Sequence, residues 1–191
     1  MALPLMLAPA GHTKRFDTDF YVEGYATTFD QPYEIYEWEG IKYYEIVDRN
    51  ALAAADLSDI IMQYDHAGKV LARLSNNTLG IMADDKGLFM CADLSKSMAA
   101  KEMHEEISSG LVTKMSWAFR VAEDAYNKDT HTRTIRKIKK VYDVSAVSHP
   151  ANSDTEIAAR SYFDGVIEVE KRETLARKRQ LLQLKIKLGG D

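Results

Sequence analysis

The stretch Lys114-Met115-Ser116-Trp117-Ala118-Phe119-Arg120-Val121 alternates between large apolar side chains and smaller or polar ones. Successive side chains of a β-strand point to opposite faces, so this alternation predicts a strand with one buried face. Ser116 is then fixed on the opposite face of a well-anchored strand. A general base could reach its hydroxyl from that side, which makes Ser116 a candidate nucleophile.

Short strands are also predicted on both sides of this stretch. The β-rich runs lie between turn residues, over residues 21–29, 41–47, 60–64, 78–83, 87–94, 131–139 and 141–148. A short helix is predicted over residues 51–57, capped by Asn50, and a longer one over residues 97–109, ended by Gly110. These elements predict a mainly β, α+β fold with a barrel or sandwich arrangement.

The chain is long enough for one domain with a sizeable core and additional tails. We predict a flexible N-terminal arm over residues 1–19, a folded domain over residues 20–163, and a basic, helical or disordered tail over residues 164–191. Seven Lys or Arg residues lie between positions 171 and 187, interspersed with leucines. This pattern favours a solvated amphipathic helix, with a docking or removable segment as the alternative.

Composition argues against several classes of protein. The net charge of -4 gives no reason to expect nucleic-acid binding. No run of about 18 apolar residues predicts a membrane span, and the N-terminus lacks the basic start of a secretion signal. We therefore expect a soluble intracellular protein with no membrane partner. Cys91 is the single cysteine, and its apolar strand predicts a buried structural thiol, with a cysteine nucleophile as the alternative.

Metal and cofactor sites are not predicted. No two histidines have the close spacing of a zinc-binding helix, there is no cysteine pair, and a Gly-rich phosphate loop is absent. We expect no metal and no cofactor, and a metal hydrolase is the weaker alternative.

A serine nucleophile needs a base, and histidine suits this role because its ordinary pKa is about 6.5. Of the five histidines, His12 lies in the predicted arm, while His104 and His131 are expected to face solvent. His66 ends an apolar strand and is followed by Ala67 and Gly68, a position that is rigid on one side and open on the other. His66 is therefore the candidate base, and its position taken alone favours the alternative of a structural or incidental role.

The third member of the site is left open between Asp143 and His149. Both lie on one face of the strand over residues 141–148 and its continuation, and a carboxylate inside an apolar strand needs a partner. Six strand residues span roughly 20 Å, so the two cannot both contact one histidine in a straight strand. We favour Asp143; a structurally satisfied carboxylate is the alternative. Backbone N–H groups of residues 133–140 are a candidate oxyanion hole.

These segments, in this order, resemble the tailed-phage prohead maturation serine proteases, which are similar in fold to the herpesvirus assemblins. The resemblance covers residues 20 to 160, approximately. It rests on Glu23-Gly24-Tyr25-Ala26 with Phe29, Tyr64-Asp65-His66, Gly87-Leu88, Gly110-Leu111-Val112-Thr113-Lys114-Met115-Ser116, Asp143-Val144-Ser145 and Pro150-Ala151-Asn152. It implies a small closed or partly closed β-barrel with flanking helices.

The resemblance also implies a serine endopeptidase with His66 as base, Ser116 as nucleophile and the acidic residue at Asp143 as third member. Its implied substrates are scaffold protein, the scaffold segment of the major capsid protein, and the protease itself, inside the assembling procapsid in the host cytoplasm. A homodimer is compatible with it. The chain departs from the pattern at Lys114 and at His149, and His149 keeps a second-histidine arrangement open. A non-catalytic assembly or scaffold protein of the same fold is the alternative.

Overall fold

The computed structural model describes the backbone of residues 5–6, 15–148 and 154–188, and the side chains of residues 15–148 and 164–184. The strands are β1 (Leu5–Met6), β2 (Tyr21–Thr28), β3 (Tyr33–Trp38), β4 (Ile41–Val47), β5 (Ile61–Tyr64), β6 (Ala67–Arg73), β7 (Leu79–Ala83), β8 (Gly87–Asp93), β9 (Lys114–Asn127) and β10 (Thr132–Val147). The helices are a 3-10 turn (Leu94–Lys96), α1 (Met98–Ser108) and α2 (Asp154–Leu188). The fold is mainly β with two α-helices, which confirms the predicted α+β class.

The strands form two sheets, and β10 is the central strand of the larger one. The smaller sheet has the order β1-β2-β8-β7, and the larger one has the order β3-β4-β10-β5-β6, with β9 also paired to β10. β10 runs parallel to β4 and to β5, and antiparallel to β9. Because the described strands pair as two separate sheets, a closed barrel stays a prediction.

The helix α1 packs against the core through one stripe. Its buried residues Ala100, Met103 and Ile107 follow the three- and four-residue spacing of a helical face. The Ser97 side chain accepts a hydrogen bond from Ala100 N and caps the start. Gly110, with φ of 79°, follows the helix end, as a residue that readily adopts the left-handed conformation should.

Several predicted elements differ in the structure. Residues 51–54 form turns rather than a helix, with Ala51 N bonded to Asp48 O and Ala53 N to Asn50 O, and Asp56 forms an isolated β-bridge with Lys140. The strands predicted over residues 131–139 and 141–148 are the single strand β10 of 16 residues, because the 14-residue strand β9 pairs with it from end to end. The pairing of β9 with β10 shifts register near Lys140, where the sequence predicted a gap between two strands, but β10 continues through these shifts. β1, β3 and β6 were not predicted, and β1 lies within the predicted N-terminal arm.

Among the described side chains 164–184 of α2, those between Asp164 and Glu173 contact the larger sheet and the turn that follows β9. Ile167 is buried beside Tyr43, Lys171 Nζ lies 4.2 Å from the ring centre of Trp38, and Lys128 pairs with Glu173 at 2.8 Å. Every described side chain from 171 to 184 is exposed. The division of the chain into arm, domain and tail stays a prediction. None of the described helices has the length and apolar composition that a membrane span requires.

Candidate active site

Ser116 lies near the start of β9, on the face away from the core. Its neighbours Met115 and Trp117 are buried in the hydrophobic core, and Phe119 and Val121 pack against the core from partly buried positions. Ser116 itself is half-buried. The predicted strand and its buried face are therefore confirmed. In the ladder between β9 and β10, Ser116 stands directly opposite Ser145.

His66 lies in the two-residue turn that joins β5 to β6. Both turn residues have left-handed backbone conformations, with φ of 46° at Asp65 and 56° at His66. Positive φ at both positions is the geometry of a tight hairpin, and Asp and His tolerate it better than most residues. The base candidate is therefore fixed at a hairpin tip rather than on an irregular loop.

Asp65 ties this hairpin tip to the end of β10. Its backbone N–H donates to Ala146 O at 2.9 Å. Its carboxylate accepts hydrogen bonds from Ser148 N at 3.0 Å and from Ser148 Oγ at 2.9 Å. We call these three bonds the Asp65 clamp. The clamp fixes the turn at the end of the strand that carries Asp143.

Asp143 forms the closest contact to the candidate base. Its Oδ1 lies 2.7 Å from His66 Nδ1, and the two side chains are only 9% and 4% exposed. Ser145 Oγ donates to the same oxygen, also at 2.7 Å. A neutral imidazole that donates from Nδ1 has Nε2 free to accept a proton. The pair therefore has the arrangement of a base with its orienting carboxylate.

The strand order brings these residues to one place. β10 lies between β5, which leads into His66, and β9, which carries Ser116. Asp143 is in register with Ile61 on one side and Ala118 on the other, while Ser145 is in register with Gln63 and Ser116. Residues directly opposite one another have Cβ atoms about 5 Å apart. Ser116 is therefore adjacent to the network of His66, Asp143 and Ser145.

The nitrogen of His66 that faces away from Asp143 is buried. Within the described part of the chain, this Nε2 atom has no hydrogen-bond partner, so it is not bonded to Ser116. Catalytic hydrogen bonds are often loose in a free enzyme and tighten when substrate binds. An imidazole nitrogen without a partner, one strand away from the strand that carries Ser116, is chemically suited to accept a proton.

The other candidate groups lie elsewhere. His104 packs edge-on against Phe20 with ring centres 5.3 Å apart, and burial lowers its pKa. His131 lies 5.1 Å from the Tyr43 ring. Both histidines are partly exposed, so the prediction that they face solvent holds only in part, and each also packs beside an aromatic ring. Cys91 is buried, as predicted, and burial raises the pKa of its thiol. His12 and His149 lie outside the described residues.

The candidate oxyanion segment is distant from Ser116. Lys140, at its near end, pairs with Arg120, four residues along β9 from Ser116. Four strand residues span about 13 Å, so residues 133–140 are too far away for this role. Over residues 15–148 and 164–184, no group of three or more His, Cys, Asp or Glu side chains is placed to bind a metal ion.

Two residues of this network were not found from the sequence. Ser145 and Asp65 were quoted only as parts of motifs, and their hydrogen bonds were not predicted. Polar residues at alternate positions of β10 gave a signal for Ser145. No local signal indicated the Asp65 clamp, because it joins residues 83 positions apart.

Comparison with known proteins identifies the family of the chain. The chain is similar to the prohead protease of Enterobacteria phage HK97, with 30% identity over 95 residues. That match covers 49% of this chain and 42% of the phage protein, so it spans less than half of either. The family model described as caudovirus prohead serine protease matches residues 11–166. Because this match covers most of the sequence, the chain belongs to the caudovirus prohead serine protease family.

Proposed function

We propose that this chain is a serine endopeptidase of procapsid maturation. Its substrates would be scaffold protein or the scaffold segment of the major capsid protein, and it would also cleave itself. It would act in the host cytoplasm, inside the assembling procapsid. The observation that carries the proposal is the 2.7 Å contact between His66 Nδ1 and Asp143 Oδ1, one strand away from Ser116. Membership of the prohead protease family supports the same chemistry.

In the proposed mechanism, Ser116 Oγ attacks the carbonyl carbon of the scissile peptide bond. His66 Nε2 accepts the serine proton and then donates it to the leaving amine, which breaks the C–N bond and leaves an acyl-enzyme. A water molecule, deprotonated by the same nitrogen, then releases the acyl group and restores Ser116. Asp143 keeps the imidazole in the required tautomer and stabilises its charged form.

The surroundings of the pair favour this use. The side chains of His66 and Asp143 are almost fully buried, so water screens their interaction weakly. The Asp65 clamp and the strand β10 restrict their movement, and rigid elements position catalytic groups better than loops do. We also propose the division into arm, protease domain and basic tail, and a partly closed barrel. A homodimer stays a prediction.

Covalent labelling tests the nucleophile. The full chain is treated with a fluorophosphonate, which reacts with activated serine hydroxyls, and the labelled peptide is identified by mass spectrometry. We expect labelling at Ser116 and its loss in Ser116→Ala, because alanine has no hydroxyl oxygen that could bond to the phosphorus atom. Peptide cleavage should fall on the order of 10⁶-fold in the same variant. Ser108→Ala, which removes an exposed hydroxyl from α1, is the matched control and should label normally.

Incubation with major capsid protein then tests the substrate assignment. Wild-type protein should release fragments that Ser116→Ala does not. A wild-type chain that neither reacts with the fluorophosphonate nor cleaves capsid or scaffold protein would instead favour the non-catalytic assembly protein.

The third member is tested by comparing Asp143→Asn with His149→Ala. Asp143→Asn should slow fluorophosphonate labelling on the order of 10³- to 10⁴-fold, because the amide presents the wrong hydrogen-bonding group to His66 Nδ1. His149→Ala should label at nearly the wild-type rate. The reverse result would exclude Asp143 and support a pair of histidines.

A further inference from the structure

We propose that Ser145 is a positioning residue of this site, which orients the Asp143 carboxylate and through it His66. The inference rests on the proposed function, because it concerns the same serine chemistry. Ser145 is fully buried, with 0% of its surface exposed. Its hydroxyl donates to Asp143 Oδ1 at 2.7 Å, the same oxygen that contacts His66 Nδ1.

A second donor is needed at this carboxylate for a geometric reason. The terminal torsion of an aspartate is broad, so a single hydrogen bond from His66 would leave the carboxylate able to rotate. Ser145 lies two residues further along β10, on the same face, and its backbone is fixed by β5 and β9 on either side. The hydrogen bond from its hydroxyl therefore restricts rotation of the Asp143 carboxylate.

The position of Ser145 also connects it with the nucleophile. It stands directly opposite Ser116 in the ladder, two residues along β10 from Asp143. A residue chosen only for small size could be alanine, as Ala146 is at the next position. A buried hydroxyl is unfavourable unless it is hydrogen-bonded, and here the partner is the carboxylate itself.

The test compares variants by the kinetics of fluorophosphonate inactivation of the full chain. Ser145→Ala should lower the limiting inactivation rate about 10- to 100-fold, the range expected for losing a hydrogen bond to a charged group. The concentration that gives the half-maximal rate should not change, because Ser145 does not touch the reagent. Ser145→Thr keeps the hydroxyl and should recover most of the rate. Ser145→Cys, with a weak donor, should be intermediate.

Proton NMR gives a readout that a purely structural role would not move. The Nδ1–H proton of a histidine bonded to a carboxylate resonates far downfield, and we expect this signal to shift or broaden in Ser145→Ala. The matched control is Thr78→Ala, which removes a buried hydroxyl bonded to Asn76 Oδ1 at 2.6 Å in another part of the fold. It should lower stability without changing the inactivation rate or the downfield signal.

The outcomes separate the two proposals. If wild-type protein is not labelled at Ser116, the proposed function fails. If wild type is labelled but a folded Ser145→Ala reacts at the same rate with an unchanged downfield signal, the role of Ser145 is refuted. If Ser145→Ala does not fold, the other two variants are compared instead. A higher inactivation rate for Ser145→Thr than for Ser145→Cys would support the positioning role of Ser145, and equal rates would refute it.

Discussion

Asp65 and His66 occupy left-handed backbone conformations, which cost non-glycine residues about 1–2 kcal/mol each. The commonest residues for such a hairpin turn are Asn-Gly and Asp-Gly, and here a histidine stands in place of the glycine. Strained backbone of this kind persists only where surrounding contacts maintain it. The Asp65 clamp supplies those contacts, so the strain and the position of the candidate base depend on the same residue.

Substitutions at Asp65 should separate the clamp from the backbone strain. Asp65→Ala loses both bonds from Ser148 and adds strain, so we expect a loss of about 2–4 kcal/mol of unfolding free energy. Asp65→Gly loses the same bonds without the strain and should be about 1 kcal/mol more stable than Asp65→Ala. Urea unfolding measures both values. Equal stability of the two variants would contradict the strain argument.

Cys91 should be inert in the folded protein. Burial raises the pKa of its thiol, which keeps it protonated, and the side chain is inaccessible to reagents. Iodoacetamide at neutral pH should therefore leave Cys91 unmodified and fluorophosphonate labelling of Ser116 unchanged. Mass spectrometry after denaturation in the same reagent should show complete alkylation. Rapid alkylation of the folded chain with loss of labelling would revive the cysteine nucleophile.

The candidate catalytic groups could be predicted from the sequence, whereas the residues that hold them in position could not. Ser116 follows from strict alternation along one strand, and His66 from the end of an apolar strand. Both are local signals. Ser145 and the Asp65 clamp depend on the pairing of β10 with β5, which joins distant segments. Such pairing cannot be derived from residue patterns alone.

At the scale of elements, prediction succeeded where side-chain period and turn residues agreed. The hairpin of β7 and β8, the helix α1 and the strand β9 are examples. It failed over residues 51–57, where alanines suggested a helix but Asp56 N bonds to Lys139 O and draws the chain alongside β10. It also failed at β6, where only Leu71 and Ala72 are buried, so the pattern of a half-buried strand is too short to detect.

Gly87, at the start of β8, is required for the close approach of β2. A Cβ atom added there would lie 2.0 Å from Thr27 O and 2.9 Å from Thr28 Cα. Both are backbone atoms in a paired strand and cannot move cheaply, so Gly87→Ala should cost about 3 kcal/mol or more. Gly165→Ala, in the helix α2 with open space around the added atom, is the matched control. It should be neutral or slightly stabilising, by up to about 1 kcal/mol.

A buried network of charged side chains lies at one end of the larger sheet, and the sequence did not predict it. Glu45 is buried with Tyr33 and Arg133, and Arg133 also pairs with Asp124 at 2.6 Å. Burial raises the pKa of Glu45, although Tyr33 and Arg133 act in the opposite direction. Sequence analysis assigned no role to these residues. Their network joins β3, β4, β9 and β10 at the end of the larger sheet that is remote from Ser116.

Stability of the whole molecule should fall when the pH drops below neutrality, partly because of His104. Burial lowers its folded pKa below the ordinary 6.5, and nearby Glu105 opposes this only in part. As the pH falls through 6.5, unfolded chains take up a proton at His104 before folded ones do, so unfolding becomes easier until the folded pKa is passed. In His104→Gln, the unfolding free energy measured with urea should depend less on pH between pH 7 and 5 than it does in the wild type. An unchanged profile would contradict this assignment.

The outer part of α2 should be dispensable for the folded body. The last described contacts of this helix with the sheet are those of Lys171 with Trp38 and of Glu173 with Lys128. Removing residues 174–191 should therefore leave both the melting temperature and fluorophosphonate labelling at Ser116 nearly unchanged. Ile167→Ala is the contrasting variant, because Ile167 is 4% exposed and packs on Tyr43, and it should cost about 2 kcal/mol or more. If the truncation lowers the melting temperature as much as Ile167→Ala does, the outer part of α2 is stabilised by contacts with the body, and the tail is part of the folded domain.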